Sequence, residues 1–298
     1  MFIQYGKAPK SVNPQVSRPA ALVIPLRGSS GQCLMSKPPS RMMGAFFIGV
    51  LMMGSNSFAH SEGFSAEEQR GLYKAIFLRR DIRTFKNATV PSDVLARIIR
   101  AAHHGPSVGF MQPWDFVMIR DLAIRRKVKT LFNQERQAAS CFFDEPRRSQ
   151  FLSLKLEGIL ESSLNICVTC DPTRAGVVLG RNSIPETDLY STCCAVQNLW
   201  LAARSEGVGV GWVSILKQAQ LRKILGIPHH VIPVAYLCVG YPVEFSVDPI
   251  LQTAGWRERL ELNRLMHFDG WETSTISADW QDFEIALTDN STKRFDSP

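Results

Sequence analysis

Several signatures of familiar chemistry are missing from this chain of 298 residues. There is no Gly-x-x-x-x-Gly-Lys-Ser/Thr loop to cradle a triphosphate and no Gly-x-Ser-x-Gly elbow to present a hydrolytic serine. The six histidines include two adjacent pairs, His103-His104 and His229-His230, and none has the helix-face spacing of a metal site. One Cys-x-x-Cys is present, Cys167-Val-Thr-Cys170, but it lies inside the apolar run Leu164–Cys170 with no second ligand pair. A zinc or redox role is therefore not expected, and no metal is assigned. Most of the seven cysteines fall in apolar stretches and their number is odd, which suits reduced, buried thiols in the cytoplasm.

Long hydrophobic runs are scarce too. Met42–Met53 is apolar throughout but far short of the roughly 20 residues a spanning helix needs. It has the length of a signal-peptide core, with Arg41 before it and Ser57-Phe58-Ala59 after it, so that reading stays open. Forty residues upstream make a poor leader, however, and residues 1–63 read as an extension outside the fold. Acid is absent from residues 1–60. Those residues hold six of the basic side chains and no Asp or Glu, so of the net charge of +7 only +1 belongs to the rest. The main body thus offers no electrostatic case for nucleic acid, and no membrane partner is expected.

The globular part opens at Ser65, where Ser65 and Glu68 form a capping box ahead of a helix faced by Leu72, Ile76 and Phe77. That helix delivers Arg79-Arg80-Asp81-Ile82-Arg83 at its end. Three guanidinium forks within five residues suit phosphate oxygens, although a solvated helix-end cluster has the same look. Asp81 is either an ion-pair partner for those arginines or a group kept for chemistry. Further helices are expected at Ser92–His103, 122–139, 147–161, Glu186–Glu206 and Gln218–Leu225. Strands are expected at Trp114–Arg120, Leu164–Cys170, from Gly207 to Ser214, and at Val231–Val239. Helices alternating with apolar strands argue α/β or α+β. Gly207-x-Gly209-x-Gly211 is no dinucleotide fingerprint, because it follows a helix and opens a strand. These glycines instead let the chain turn tightly and pass close to something. The last 25 or so residues are polar.

Taken together, the Arg-Arg-x-x-Arg helix end, the loop Gly105-Pro106-Ser107-Val108-Gly109-Phe110-Met111-Gln112-Pro113-Trp114, Leu154-Lys155-Leu156-Glu157-Gly158, the stretch Gln197–Arg204 and Gly211-Trp212-Val213-Ser214 resemble the nitroreductase-like flavoproteins. Within them the chain looks most like the flavin-consuming 5,6-dimethylbenzimidazole synthases. Ordinary nitroreductases usually carry serine at the position of Asp81, which makes that residue the most discriminating. The resemblance implies an α+β fold, a mixed central sheet wrapped by helices, with FMN at a homodimer interface. It assigns a flavin domain to residues 64–272 and leaves 273–298 as a polar tail.

The same resemblance implies that Arg79, Arg80, Asp81, Ile82 and Arg83 hold the FMN phosphate and ribityl chain. Ser107 and Gly109 would lie along the flavin, with Arg147 and Leu156 nearby and Arg257 or Arg259 reaching the phosphate late in the chain. Asp81 would move protons, and Ser214 would hydrogen-bond the isoalloxazine edge. The implied reaction consumes reduced FMN and dioxygen to make 5,6-dimethylbenzimidazole, the lower ligand of cobalamin, and needs a separate flavin reductase as supplier. An NAD(P)H-dependent FMN nitroreductase or quinone reductase, and a flavin-storage protein without turnover, are the alternatives.

Overall fold

The computed structural model describes residues 63–271 and 277–288. The extension over 1–63, apart from Gly63, and the apolar run within it lie outside the described residues. The elements run α1 (Ala66–Leu78), α2 (Ser92–His103), β1 (Trp114–Ile119), α3 (Leu122–Ser140), α4 (Arg147–Ser153), β2 (Leu164–Cys170), α5 (Thr187–Ser205), β3 (Gly209–Val213), α6 (Gln218–Leu225), β4 (Ile232–Gly240), α7 (Ile250–Thr253) and α8 (Ala278–Thr288), with 3₁₀ turns at Val108–Phe110 and Leu262–Leu265. Among the described residues no helix is long and apolar enough to cross a membrane.

The four strands form one sheet in the order β1-β2-β4-β3, with every neighbouring pair antiparallel. Among the described residues the one parallel pairing is an isolated bridge outside these strands, Asp81 to Val210. β2 is buried along its whole length, which is why its sequence is mostly apolar and lacks a polar face. Leu164, Ile166 and Val168 face α2 and α5, together with Leu237 and Val239 of β4. Cys167, Tyr236 and Cys238 face the opposite core with Val128 and Phe132 of α3 and Leu221 of α6. The architecture is three-layered α+β.

Local signals account for most boundaries. The Ser65 hydroxyl accepts the Glu68 N–H at 3.3 Å, while the Glu68 carboxylate accepts the Ser65 N–H at 2.9 Å. Asp121 starts α3 by accepting the Ala123 and Ile124 N–H groups. Gly226, at φ 66°, stops α6 in the left-handed region that favours glycine.

One helix is much shorter than its pattern suggests. α4 ends at Ser153, not near residue 161, because long-range partners take over the backbone. Arg136 donates to the Leu152 and Leu154 carbonyls at 2.6 and 2.7 Å. The buried Arg125 donates to Ile159 O at 2.7 Å and Ser162 O at 2.6 Å, and Glu157 accepts the Ile159 N–H at 2.7 Å. Gly158 then lies so close to Phe85 that an added Cβ would sit 2.5 Å from the ring.

The polar C-terminal stretch carries more order than its composition implies. α8 lies within it, and Trp280 and Phe283 pack on Phe268 at ring separations of 5.5 and 6.3 Å.

The cysteines divide by position. Burial pushes the Cys167 and Cys238 thiols up to about 12, whereas Cys141 and Cys193 are exposed, against the general expectation of buried thiols. Cys167 and Cys170 are an odd step apart on β2 and so point to opposite faces, which rules out their joint use as ligands.

Candidate functional site

The end of α1 is drawn onto the sheet by β3. Ile82 N–H donates to Val210 O at 3.0 Å, and the approach is closer than side chains would permit. A Cβ on Gly209 would stand 2.8 Å from the Ile82 side chain, and one on Gly211 only 2.0 Å from the Ile82 carbonyl. The glycine triplet is thus explained: Gly207 turns the chain at φ 70°, and Gly209 and Gly211 admit the Asp81–Ile82 segment.

This contact fixes Asp81. One carboxylate oxygen accepts the Trp212 N–H at 2.9 Å, and the other pairs with Arg83 Nη2 at 2.8 Å. Arg83 Nη2 also donates to Trp212 O at 2.8 Å, so carboxylate, guanidinium and strand backbone close a small ring. Arg83 Nη1 is buried with no hydrogen-bond partner among the described residues. Such a donor awaits an acceptor. The Asp81 side chain is half-buried, with 46% of it still reaching solvent. Burial by the surrounding protein nonetheless raises its pKa from the ordinary 3.8, against the opposing pull of Arg83, the Trp212 N–H and Arg79. The arginines therefore do not hold Asp81 below the normal range, contrary to what their clustering suggests: desolvation outweighs them.

A second group of cations gathers where α1 meets the C-terminal half of α5. Burial lowers the Arg80 pKa, and Arg79, Arg259 and Arg204 add to the effect against the opposing pull of Asp248. Arg80 itself is committed to backbone, donating to Val247 O at 3.0 Å and Phe77 O at 2.7 Å. Arg79 stacks over Trp200 at 4.7 Å, and Arg204 over Phe245 at 3.8 Å. Among the described residues neither Arg79 nor Arg259 makes an ion pair or a side-chain hydrogen bond, which leaves their donors for an anion. Arg259, more than Arg257, is the late arginine brought to this cluster. Arg257 follows the α7 turn, its N–H reaching Leu251 O at 3.4 Å.

The remaining candidates are distributed. Leu156 packs against the core that contains Ile82 and Phe85, and Gly158 passes the Arg83 carbonyl, so the Leu154–Gly158 stretch does reach the site. Ser214 is exposed two residues beyond Trp212, about 7 Å further along the chain, beside a cavity of about 180 Å³. Arg147 lies elsewhere, its guanidinium stacked 3.7 Å from the Trp256 ring and donating to Gln150 at 3.0 Å. Ser107 and Gly109 belong to the turn after α2, where the Ser191 hydroxyl of α5 accepts the Val108 N–H at 3.0 Å. Arg79 contacts Trp200, nine residues further along α5, a distance of about 14 Å. The turn of Ser107 and Gly109 thus packs at the opposite end of α5 from the Arg79 contact.

Sequence reasoning missed Trp200, Arg204 and the Trp212 backbone. The first two were visible as an i, i+4 pair on one helix face of Gln197–Arg204. No sequence signal marks the Trp212 amide.

The fold and the arginine-framed carboxylate define a class. The chain belongs to the nitroreductase family, whose model matches residues 76–241. Its relatives narrow this further. It is 39% identical over 197 residues to the 5,6-dimethylbenzimidazole synthase of Rhodospirillum rubrum, covering 66% of this chain and 93% of that one. It is 36% identical over 200 residues to the enzyme of the same name from Rhodobacter capsulatus, covering 66% and 96%. It therefore stands with the 5,6-dimethylbenzimidazole synthases, an oxidoreductase group. Among solved structures, iodotyrosine deiodinase bound to FMN and 3-iodo-L-tyrosine superposes with a TM-score of 0.55 at 18% identity, covering 67% of this chain and 100% of that chain, which supports the fold.

Proposed function

We propose that this chain is a 5,6-dimethylbenzimidazole synthase that takes reduced FMN and dioxygen and fragments the flavin itself. The observation that carries this reading is the Asp81 carboxylate, fixed by the Trp212 N–H and Arg83 with its pKa raised, beside a buried guanidinium donor that lacks a partner. Reduced FMN, bound as substrate, supplies the electrons for dioxygen and the carbon skeleton of the product.

The residues present fit FMN. Arg79 and Arg259 hold the phosphate, with Arg80 and Arg204 fixing the surrounding backbone and adding positive field. Arg83 Nη1 donates to an acceptor on the flavin. Asp81 takes and returns a proton at the ribityl chain; a raised pKa brings a carboxyl closer to the working pH of a general acid–base group. Ser214 hydrogen-bonds the isoalloxazine edge. The separation along α5 between the turn of Ser107 and Gly109 and the Arg79 contact supports a homodimer in which each flavin is shared between two copies.

The catalytic unit is residues 64–272, a separate flavin reductase supplies reduced FMN, and the reaction belongs in the cytoplasm. Mixing the protein with reduced FMN in air and assaying 5,6-dimethylbenzimidazole by mass tests the proposal. A sample that oxidises NADH with nitroaromatics and yields no benzimidazole would instead be a reductase.

A further inference from the structure

Helix α1 ends at Leu78, and Arg79 leaves it in extended backbone at ψ 133°. The last carbonyls of a helix lack partners within it, so other groups must take them. Here α5 does so, with two side chains about one turn apart. Arg204 Nε donates to Leu78 O at 3.1 Å, and Trp200 Nε1 donates to Arg80 O at 3.3 Å. The backbone is therefore tethered on both sides of Arg79. The Arg79 guanidinium itself lies over the Trp200 ring at 4.7 Å. That ring is fixed in turn: Trp200 is only 8% exposed and belongs to the core with Leu199 and Ala203. It also stands 6.4 Å from the ring of Trp212, the residue whose N–H holds Asp81.

We propose that Trp200 is the positioning residue of the phosphate seat, its indole laying out Arg79 so that the guanidinium edge meets the phosphate. The inference rests on the reading of Arg79 as a phosphate ligand given above. An arginine on a free stem samples many rotamers and must be ordered on binding; a ring beneath it removes that cost beforehand. A ring also engages the flat face of the guanidinium and leaves the N–H groups pointing outward in its plane, in the fork that suits phosphate oxygens. Indole serves here better than a smaller ring, because it is the strongest aromatic face for a cation and brings the N–H that Arg80 O accepts. An aliphatic side chain would fill the core and do neither.

The test is a double-mutant cycle on the full chain, titrated with FMN and with riboflavin. Trp200→Leu should raise the FMN Kd about tenfold and the riboflavin Kd less than about twofold. Combined with Arg79→Ala it should add nothing to the loss caused by Arg79→Ala alone, because the ring acts only through that arginine. Trp200→Phe keeps a weaker ring without the N–H and should raise the FMN Kd only about threefold. Where the Leu variant does not fold, the Phe variant carries the cycle in its place. Equal losses for the two flavins, or losses that multiply in the double variant, would overturn the proposal and leave Trp200 a core residue. A wild-type chain that binds FMN no tighter than riboflavin would overturn it as well, since there is then no phosphate seat to set. A wild-type chain that discriminates the two flavins but makes no benzimidazole overturns the functional reading instead, and the cycle still decides Trp200.

Discussion

Replacing Asp81 by Asn separates a proton-moving carboxylate from a merely structural one. The asparagine carbonyl can still accept the Trp212 N–H where Asp81 accepts it at 2.9 Å, so β3 should keep its seat. The amide's other end faces Arg83 Nη2, now 2.8 Å from a carboxylate oxygen, and that pairing is lost. Because burial is the largest influence on Asp81 and raises its pKa, the ionised form is disfavoured on folding by more than Arg83 and the amide repay. The sign of the pH effect follows. A raised folded-state pKa contributes stability that is full below the ordinary value of 3.8 and is lost as pH rises through the folded-state value. Relative to wild type, the Asn apoprotein should therefore gain stability above that window and show no gain below it, as read by urea midpoints across pH. In turnover, losing one positioned acid–base group costs about 10²–10⁴ in rate. FMN binding and reoxidation of reduced FMN should survive while benzimidazole falls by about that factor. Near wild-type product formation by the Asn variant would refute the role given to Asp81.

Three further outcomes are expected. Arg79→Ala and Arg259→Ala should each weaken FMN binding by about 1.5–3 kcal/mol and riboflavin binding little, whereas Arg257→Ala should not discriminate between the two in a titration. Gly211→Ala places a Cβ 2.0 Å from the Ile82 carbonyl and should destabilise the fold by about 3 kcal/mol, with loss of FMN affinity; an unchanged Tm would contradict the close packing described. A chain beginning at Gly63 should fold, dimerise and take up FMN like the full chain, and loss of soluble dimer on gel filtration would assign residues 1–63 to the fold.

Where a feature depends on neighbours in sequence, the sequence by itself determined it. The capping box at Ser65, the stripe of Leu95, Ile98 and Ala102 on α2, the buried run of β2 and the bounds of α6 are all legible, since caps and periodicity act within a few residues. The arginine cluster and Asp81 were visible for the same reason. Only the tertiary structure decided the rest. α4 stops at Ser153 because Arg136 and Arg125, far back on α3, take the carbonyls that follow. Arg259 joins Arg80, and Arg147 instead stacks on Trp256, through contacts spanning more than a hundred residues. The pKa of Asp81 rises because desolvation depends on all the protein packed around a charge, and three arginines within five residues say nothing of that packing. The candidate site is likewise divided along α5, because nine residues of helix set a distance that loops written side by side in sequence do not reveal.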